Sequence, residues 1–160
     1  MAISISGTCA WAAPSNIALV KYWGKYGDQF PCNPSLSMTL STCETQTRLS
    51  WGKSSAPGGL SFEMTFAGEE APEAFRQRVE NYLEKISAIF PLIYDLDLRI
   101  ETQNTFPHSA GIASSASSMA SLALCLVEME SKMVNPPPKP DEFFQRASER
   151  SPGGLEALDA

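Results

Sequence analysis

Residues 102–118, TQNTFPHSAGIASSASS, carry the types best suited to chemistry. A strand pattern ends here, a loop of small residues follows, and a helical pattern starts among serines. Free backbone N–H groups and the positive end of a helix dipole favour an anion at such a start. Small side chains let the backbone approach phosphate oxygens, and Ser114, Ser115, Ser117 and Ser118 can add hydroxyl donors or cap the helix. The loop is neither a Walker A sequence nor a GxGxxG dinucleotide motif. A Ser-rich helix start with ordinary capping is the plainer alternative. The single histidine, His108, reads as a loop residue or a ligand contact rather than a catalytic base, because no acid and nucleophile can be placed beside it.

A second candidate is residues 13–26, APSNIALVKYWGKY. Apolar Ile17, Leu19 and Val20 run into Lys21, Tyr22, Trp23, Gly24 and Lys25. An ammonium held near apolar rings can contact a phosphate at low effective dielectric and stabilise charge in phosphoryl transfer. The alternative is a solvated strand end with snorkelling lysines.

The elements that must position these segments follow from periodicity. Ile3 and Ile5 alternate weakly with Ser. Leu36, Met38 and Leu40 form one apolar stripe within 35–41, and Thr47, Leu49 and Trp51 another within 45–51. SSAPGG at 54–59 is a turn signal, and Leu60, Phe62, Met64 and Phe66 make a fourth stripe. The block reads as antiparallel strands with short connections. Pro72 and Glu73 then open a helix whose Phe75, Val79, Tyr82, Leu83, Ile86, Ile89 and Phe90 share one spacing, stopped by Pro91. A strand with Leu96, Leu98 and Ile100 follows, then a loop over 102–111. An apolar helix runs to about residue 134, PPPKP breaks it, and a third helix spans 141–150. The class is α+β rather than an alternating parallel sheet.

Composition narrows the function. The 160 residues suit one domain, with 43% apolar content and a net charge of −6. An acidic chain argues against non-specific nucleic-acid binding but leaves room for a small basic pocket. No apolar run reaches the ~18 residues of a spanning helix, so no membrane partner is expected. The first basic residue is Lys21, so the N-terminal stretch reads as mature protein and the location as cytoplasmic. Cys9, Cys32, Cys43 and Cys125 lack CxxC spacing and read as small buried residues in a reducing compartment; with one histidine, zinc is not expected.

In order, APSNIALVKYWGKYG, NPSLSMTLS and NTFPHSAGIASSAS resemble the diphosphomevalonate decarboxylase family of the GHMP kinase superfamily, over about residues 8–150. The superfamily phosphate loop, broadly PxxxGxxSSA, corresponds to Pro107 through Ala116. Small-molecule kinases of the superfamily usually have PxGxGLGSSA; this chain has Ser109 and Ala113 in place of two glycines. The decarboxylases carry alanine at the second of these positions, and KYWGK is also a decarboxylase signature.

The resemblance implies a GHMP kinase N-terminal domain, a ribosomal-protein-like two-layer sandwich with a left-handed β-α-β unit. It implies an ATP- and Mg²⁺-dependent carboxy-lyase. Mevalonate 5-diphosphate would be phosphorylated on its 3-hydroxyl, then lose phosphate and CO₂ to give isopentenyl diphosphate for isoprenoid biosynthesis. By position, Lys21 would sit beside the transferring phosphate, and Tyr22, Trp23, Gly24 and Lys25 would wall the substrate diphosphate. Arg78, in RVENYL, matches a helix arginine that reaches that diphosphate. Pro107, His108, Ser109, Ala110, Gly111, Ile112, Ala113, Ser114 and Ser115 would hold the ATP phosphates, with Ser115 nearest the chemistry and Asn104 near the nucleotide. No residue is assigned to a metal ion.

Family members are longer. They continue with a GSGSACRS-like stretch that binds the substrate diphosphate, and later an aspartate that orients or deprotonates the 3-hydroxyl. Here FFQRAS runs into Glu149, Arg150, Ser151, Pro152, Gly153 and Gly154. The expected organisation is therefore a partial N-terminal domain over 1–148, a divergent tail over 149–160, and no C-terminal GHMP domain. The apolar helix over 113–134 and the sheet would then lack partners, favouring impaired activity and a homodimer. A mevalonate or phosphomevalonate 3-kinase of the same branch, or a non-catalytic nucleotide-binding fragment, are the alternatives.

Overall fold

Alternating residue types build one mixed sheet, and the helical segments pack against it. The computed structural model describes residues 5–21, 23–26, 30–107, 112–133 and 139–150. Strands are β1 (Gly7–Val20), β2 (Lys25–Tyr26), β3 (Phe30–Pro31), β4 (Leu36–Lys53), β5 (Ser61–Phe66), β6 (Glu69–Glu70) and β7 (Leu96–Asn104). Helices are α1 (Glu73–Ile89), α2 (Ser114–Met133) and α3 (Pro140–Glu149), with a 3₁₀ turn at Pro91–Asp95. The main sheet has the order β1-β4-β7-β5-β6, and β2 pairs with β3 apart from it.

Two stripes read as separate strands prove to be one, the 18-residue β4. The apolar positions change from even numbers (Leu36, Met38, Leu40) to odd (Thr45, Thr47, Leu49, Trp51), which suggests a break in the chain. The backbone instead stays extended, and the phase change falls at an irregularity in its antiparallel pairing with β1: Pro14 lies opposite Glu44 and Asn16 opposite Thr39, so the surplus residues are in β4 itself. Such an irregularity re-aims side chains without ending the ladder.

The β5 strand also departs from the antiparallel expectation. It runs parallel to β7, with Ser61 opposite Asp97 and Phe66 opposite Thr102. Parallel neighbours need a crossover, and α1 supplies it. Pro72 is the residue preceding α1, and Pro91 starts the 3₁₀ turn that follows. The β7 strand extends to Asn104, so the connecting loop begins later than its sequence suggested.

The core lies between the helices and one face of the sheet. Leu49, Ile100, Leu83, Ile86, Ile93, Leu126 and Met129 are fully enclosed there. The expectation that α2 would lack partners is overturned. Leu122, Ala123, Cys125, Leu126, Val127 and Met129 are all buried, because α2 lies on β1 and β4 and α3 packs against it. Exposed apolar side chains are instead found where β1 and β4 extend beyond the core: Leu19, Val20, Leu36 and Met38. Of the cysteines, Cys9 and Cys125 are buried and Cys43 is half-buried, but Cys32 is exposed, contrary to its sequence reading.

Candidate functional site

A seam of hydroxyls seats α2. Thr45 Oγ1 lies 2.7 Å from Ser117 Oγ, and Thr47 Oγ1 lies 2.6 Å from Ser121 Oγ. Farther on, the Cys125 thiol donates to the Thr47 carbonyl at 3.4 Å. Four helical residues rise ~6 Å and two strand residues ~6.8 Å, so β4 and α2 can meet repeatedly in step. Thr45, Thr47, Ser117 and Ser121 are all buried, and each hydroxyl has a partner within the seam.

The seam brings the start of α2 to a defined place. Ala113 N–H donates to the Asn16 carbonyl of β1 at 3.2 Å, and Ser117 N–H donates to the Ala113 carbonyl at 3.1 Å. Ser118 Oγ donates to the Ser114 carbonyl at 2.7 Å. At the other end of the loop, Thr105 N–H donates to the Glu44 carbonyl at 3.0 Å. Thr105 Oγ1 receives Glu44 N–H at 3.0 Å and donates to the Thr42 carbonyl at 3.1 Å. Both anchors of the loop are thus fixed to the long β1–β4 ribbon.

The cleft at this helix start measures about 310 Å³ and is lined by Phe66, Pro72, Ala74, Phe75, Arg78, Asn104, Ser114, Ser115 and Ser118. Arg78 projects from α1, and its Nη1 stands 3.4 Å from Ser115 Oγ. Asn104 ends β7, and its Oδ1 receives the Thr45 hydroxyl at 2.8 Å. Phe66 and Phe75 meet edge to face at 6.0 Å and form the apolar wall. A guanidinium, serine hydroxyls and a helix N-terminus facing one space have the chemistry that suits an anion.

The structure therefore brings together Arg78, Asn104, Ser114 and Ser115. The resemblance assigned Arg78 to the substrate diphosphate, whereas it stands among the residues assigned to the nucleotide. Ile112 and Ala113 lead into the helix, and Pro107 is exposed at the far end of the loop. His108, Ser109, Ala110 and Gly111 lie outside the described residues, as does Tyr22.

Lys21, Trp23, Gly24 and Lys25 follow β1 on the ribbon extension. Lys21 is exposed, and Trp23 is 80% exposed. Gly24 has φ +77°, a left-handed conformation that explains the glycine of KYWGK.

Sequence reasoning missed the cleft walls Phe66, Pro72, Ala74 and Phe75, and the orienting Thr45. Phe66 and Phe75 stood out only as members of apolar stripes. Among the described residues, no cluster of three His, Cys, Asp or Glu could hold a metal ion. A larger recess of about 480 Å³ lies on the open sheet face, around Ala10, Ala12, Gln46, Arg48, Glu101 and Gln103. It gathers none of the candidate residues, and Glu101 there is paired with Arg99 at 3.3 Å.

An α+β domain with a serine-rich helix start facing a cleft that carries Arg78 is the class that fold and site define. Residues 13–148 match the model of the diphosphomevalonate decarboxylase-like N-terminal domain, and the chain belongs to that family. It is 35% identical over 120 residues to a diphosphomevalonate decarboxylase of Gibberella zeae, covering 69% of this chain and 31% of the relative. It is 33% identical over 135 residues to the Saccharomyces cerevisiae diphosphomevalonate decarboxylase, covering 76% and 33%. Its fold is that of mevalonate diphosphate decarboxylase from Legionella pneumophila, with TM-score 0.66, 30% identity, and 93% and 48% of the two chains covered. A structure of MDDEF in complex with MVAPP, AMPPCP and magnesium superposes with TM-score 0.63 and 30% identity, covering 94% and 43%. The chain spans about a third of the length of the curated relatives it matches.

Proposed function

We propose that this chain supplies the phosphate-binding domain of an ATP-dependent decarboxylase acting on mevalonate 5-diphosphate to give isopentenyl diphosphate. The observation that carries the reading is the cleft in which Arg78, Asn104, Ser114 and Ser115 converge at the start of α2. The donor set fits a polyphosphate. Ser114, Ser115 and the first N–H groups of α2 would bind phosphoryl oxygens, and Arg78 would offset their charge. ATP, when bound with Mg²⁺, supplies the phosphoryl group that makes the 3-oxygen of the substrate a leaving group. An ion held mainly by phosphates and water needs no dedicated cage of carboxylates.

In this reading Lys21 sits beside the transferring phosphate, Tyr22, Trp23, Gly24 and Lys25 wall the substrate diphosphate, and positioning supplies most of the rate. The aspartate that the resemblance implies for the 3-hydroxyl would, in this reading, lie in the length of the relatives that this chain does not span. The reading includes a cytoplasmic location, supported by four free cysteines. No helix among the described residues is long and apolar enough to cross a membrane. It includes pairing with a second copy, favoured by the exposed Leu19, Val20, Leu36 and Met38.

Calorimetric titration of the chain with mevalonate 5-diphosphate and with ATP–Mg²⁺ tests the reading, alongside assay of CO₂ release. Saturable binding of both ligands is expected; binding of neither would remove it.

A further inference from the structure

The NPSLSMTLS segment resembles the family without having been given a task, and its first residue meets the lysine-bearing segment directly. Asn33 accepts Trp23 N–H on Oδ1 at 2.7 Å. Its Nδ2 donates to the Lys21 carbonyl at 3.3 Å and to the Pro34 carbonyl at 2.9 Å. Chemistry fixes the orientation of this amide, because a backbone N–H can only donate and a carbonyl can only accept.

One primary amide thus holds the backbone on both sides of residue 22, as an adjacent strand would. This matters because Lys21, Trp23 and Gly24 lie where ladder support is thin. The β1–β4 pairing ends at Val20 and Leu36, and β2 has only two residues. Beyond the Asn33 contacts, Cys32 N–H donates to the Gly24 carbonyl at 3.2 Å. Lys21 and Trp23 are exposed and rest on no core that could fix them. Ordering a lysine at the moment of binding costs conformational entropy, which a pre-formed backbone reduces.

We infer that Asn33 is a positioning residue for the substrate-diphosphate site: it holds the backbone at Lys21 and Trp23 in the conformation that receives the diphosphate. This rests on the proposed reading of the KYWGK segment. Alanine at 33 supplies none of these three hydrogen bonds. Aspartate can still accept from Trp23 N–H but, when ionised, cannot donate to either carbonyl, and it adds a charge that repels phosphate. The residue lies outside the buried core, so its loss should leave the fold in place.

The test is titration of the full chain and of Asn33→Ala with mevalonate 5-diphosphate and, separately, with ATP–Mg²⁺, together with amide exchange at Trp23. Asn33→Ala should weaken diphosphate binding by about tenfold or more and speed Trp23 exchange, with ATP–Mg²⁺ affinity unchanged. A general structural defect would weaken both ligands, and that result would overturn the inference. So would unchanged diphosphate affinity in Asn33→Ala, which would leave the site reading standing. Wild-type chain that binds ATP–Mg²⁺ but not the diphosphate would remove the reading of KYWGK and the inference with it. Asn33→Asp should bind the diphosphate no better than Asn33→Ala; recovery of wild-type affinity there would also overturn the inference.

Discussion

Glu130 of α2 receives both terminal guanidinium nitrogens of Arg150, with Nη2 to Oε1 at 3.0 Å, and both residues are buried. Tyr82 of α1 donates its hydroxyl to the Arg150 carbonyl at 2.8 Å, so one residue ties the end of α3 to both other helices. Packing therefore extends to Arg150. Removing Arg150 would leave the buried Glu130 carboxylate with only the longer Arg146 contact at 3.9 Å, and breaking a buried pair costs about 3–5 kcal/mol. Arg150→Ala should lower the thermal midpoint by roughly 10 °C. Replacing both partners together by Met and Leu should recover most of the loss. A double variant as unstable as the single one would contradict this account.

Asp97, at the start of β7, is held below the usual carboxylate range by hydrogen bonds from the side chains of Ser61 and Ser54. Ser54 Oγ donates to Asp97 Oδ1 at 2.8 Å. These bonds favour the ionised form in the folded state. The stability they contribute is fully present above the unfolded value of ~3.9 and is lost as pH falls through the lower folded value. Asp97→Asn should thus be less stable than wild type near neutrality, and the two urea midpoints should converge in acid. A gap independent of pH would count against the assignment.

The cysteines should separate by burial and environment. Cys32 is exposed, whereas a hydrogen bond with Cys9 and burial push the Cys125 thiol up. Iodoacetamide should label Cys32 first in the native chain and reach Cys125 only on unfolding. Early labelling of Cys125, read by peptide mass spectrometry, would show that α2 is not seated on the sheet as described.

Much of this fold was legible because local and global signals agree. The period-3.6 run from Phe75 to Ile86 became α1, and the alternation of Leu96, Leu98 and Ile100 became β7. What was hidden depends on pairing across long separations. Nothing local shows that Phe62 and Met64 lie beside Leu98 and Ile100 in parallel, since that follows from the crossover. The continuity of β4 was masked because surplus residues between Thr39 and Glu44 change its phase without ending the strand. The site divides in the same way. Ser114 and Ser115 announced themselves by a small-residue loop opening a helix. Phe66 and Thr45 reach the same region from strands about 50 and 70 residues earlier, and Asn33 acts through a side-chain amide that no periodicity reveals.

The central claim is that Arg78 and Ser115 jointly bind a nucleotide phosphate at the start of α2. It is tested most directly by the affinity of the chain for ATP–Mg²⁺ in wild type, Arg78→Ala, Ser115→Ala and the double variant. A hydrogen bond to a charged group is worth about 1.5–3 kcal/mol, so Arg78→Ala should weaken binding by roughly 10- to 150-fold. The double variant should lose less than the product of the single effects, because the two groups share one ligand. Unchanged affinity in Arg78→Ala would contradict the account.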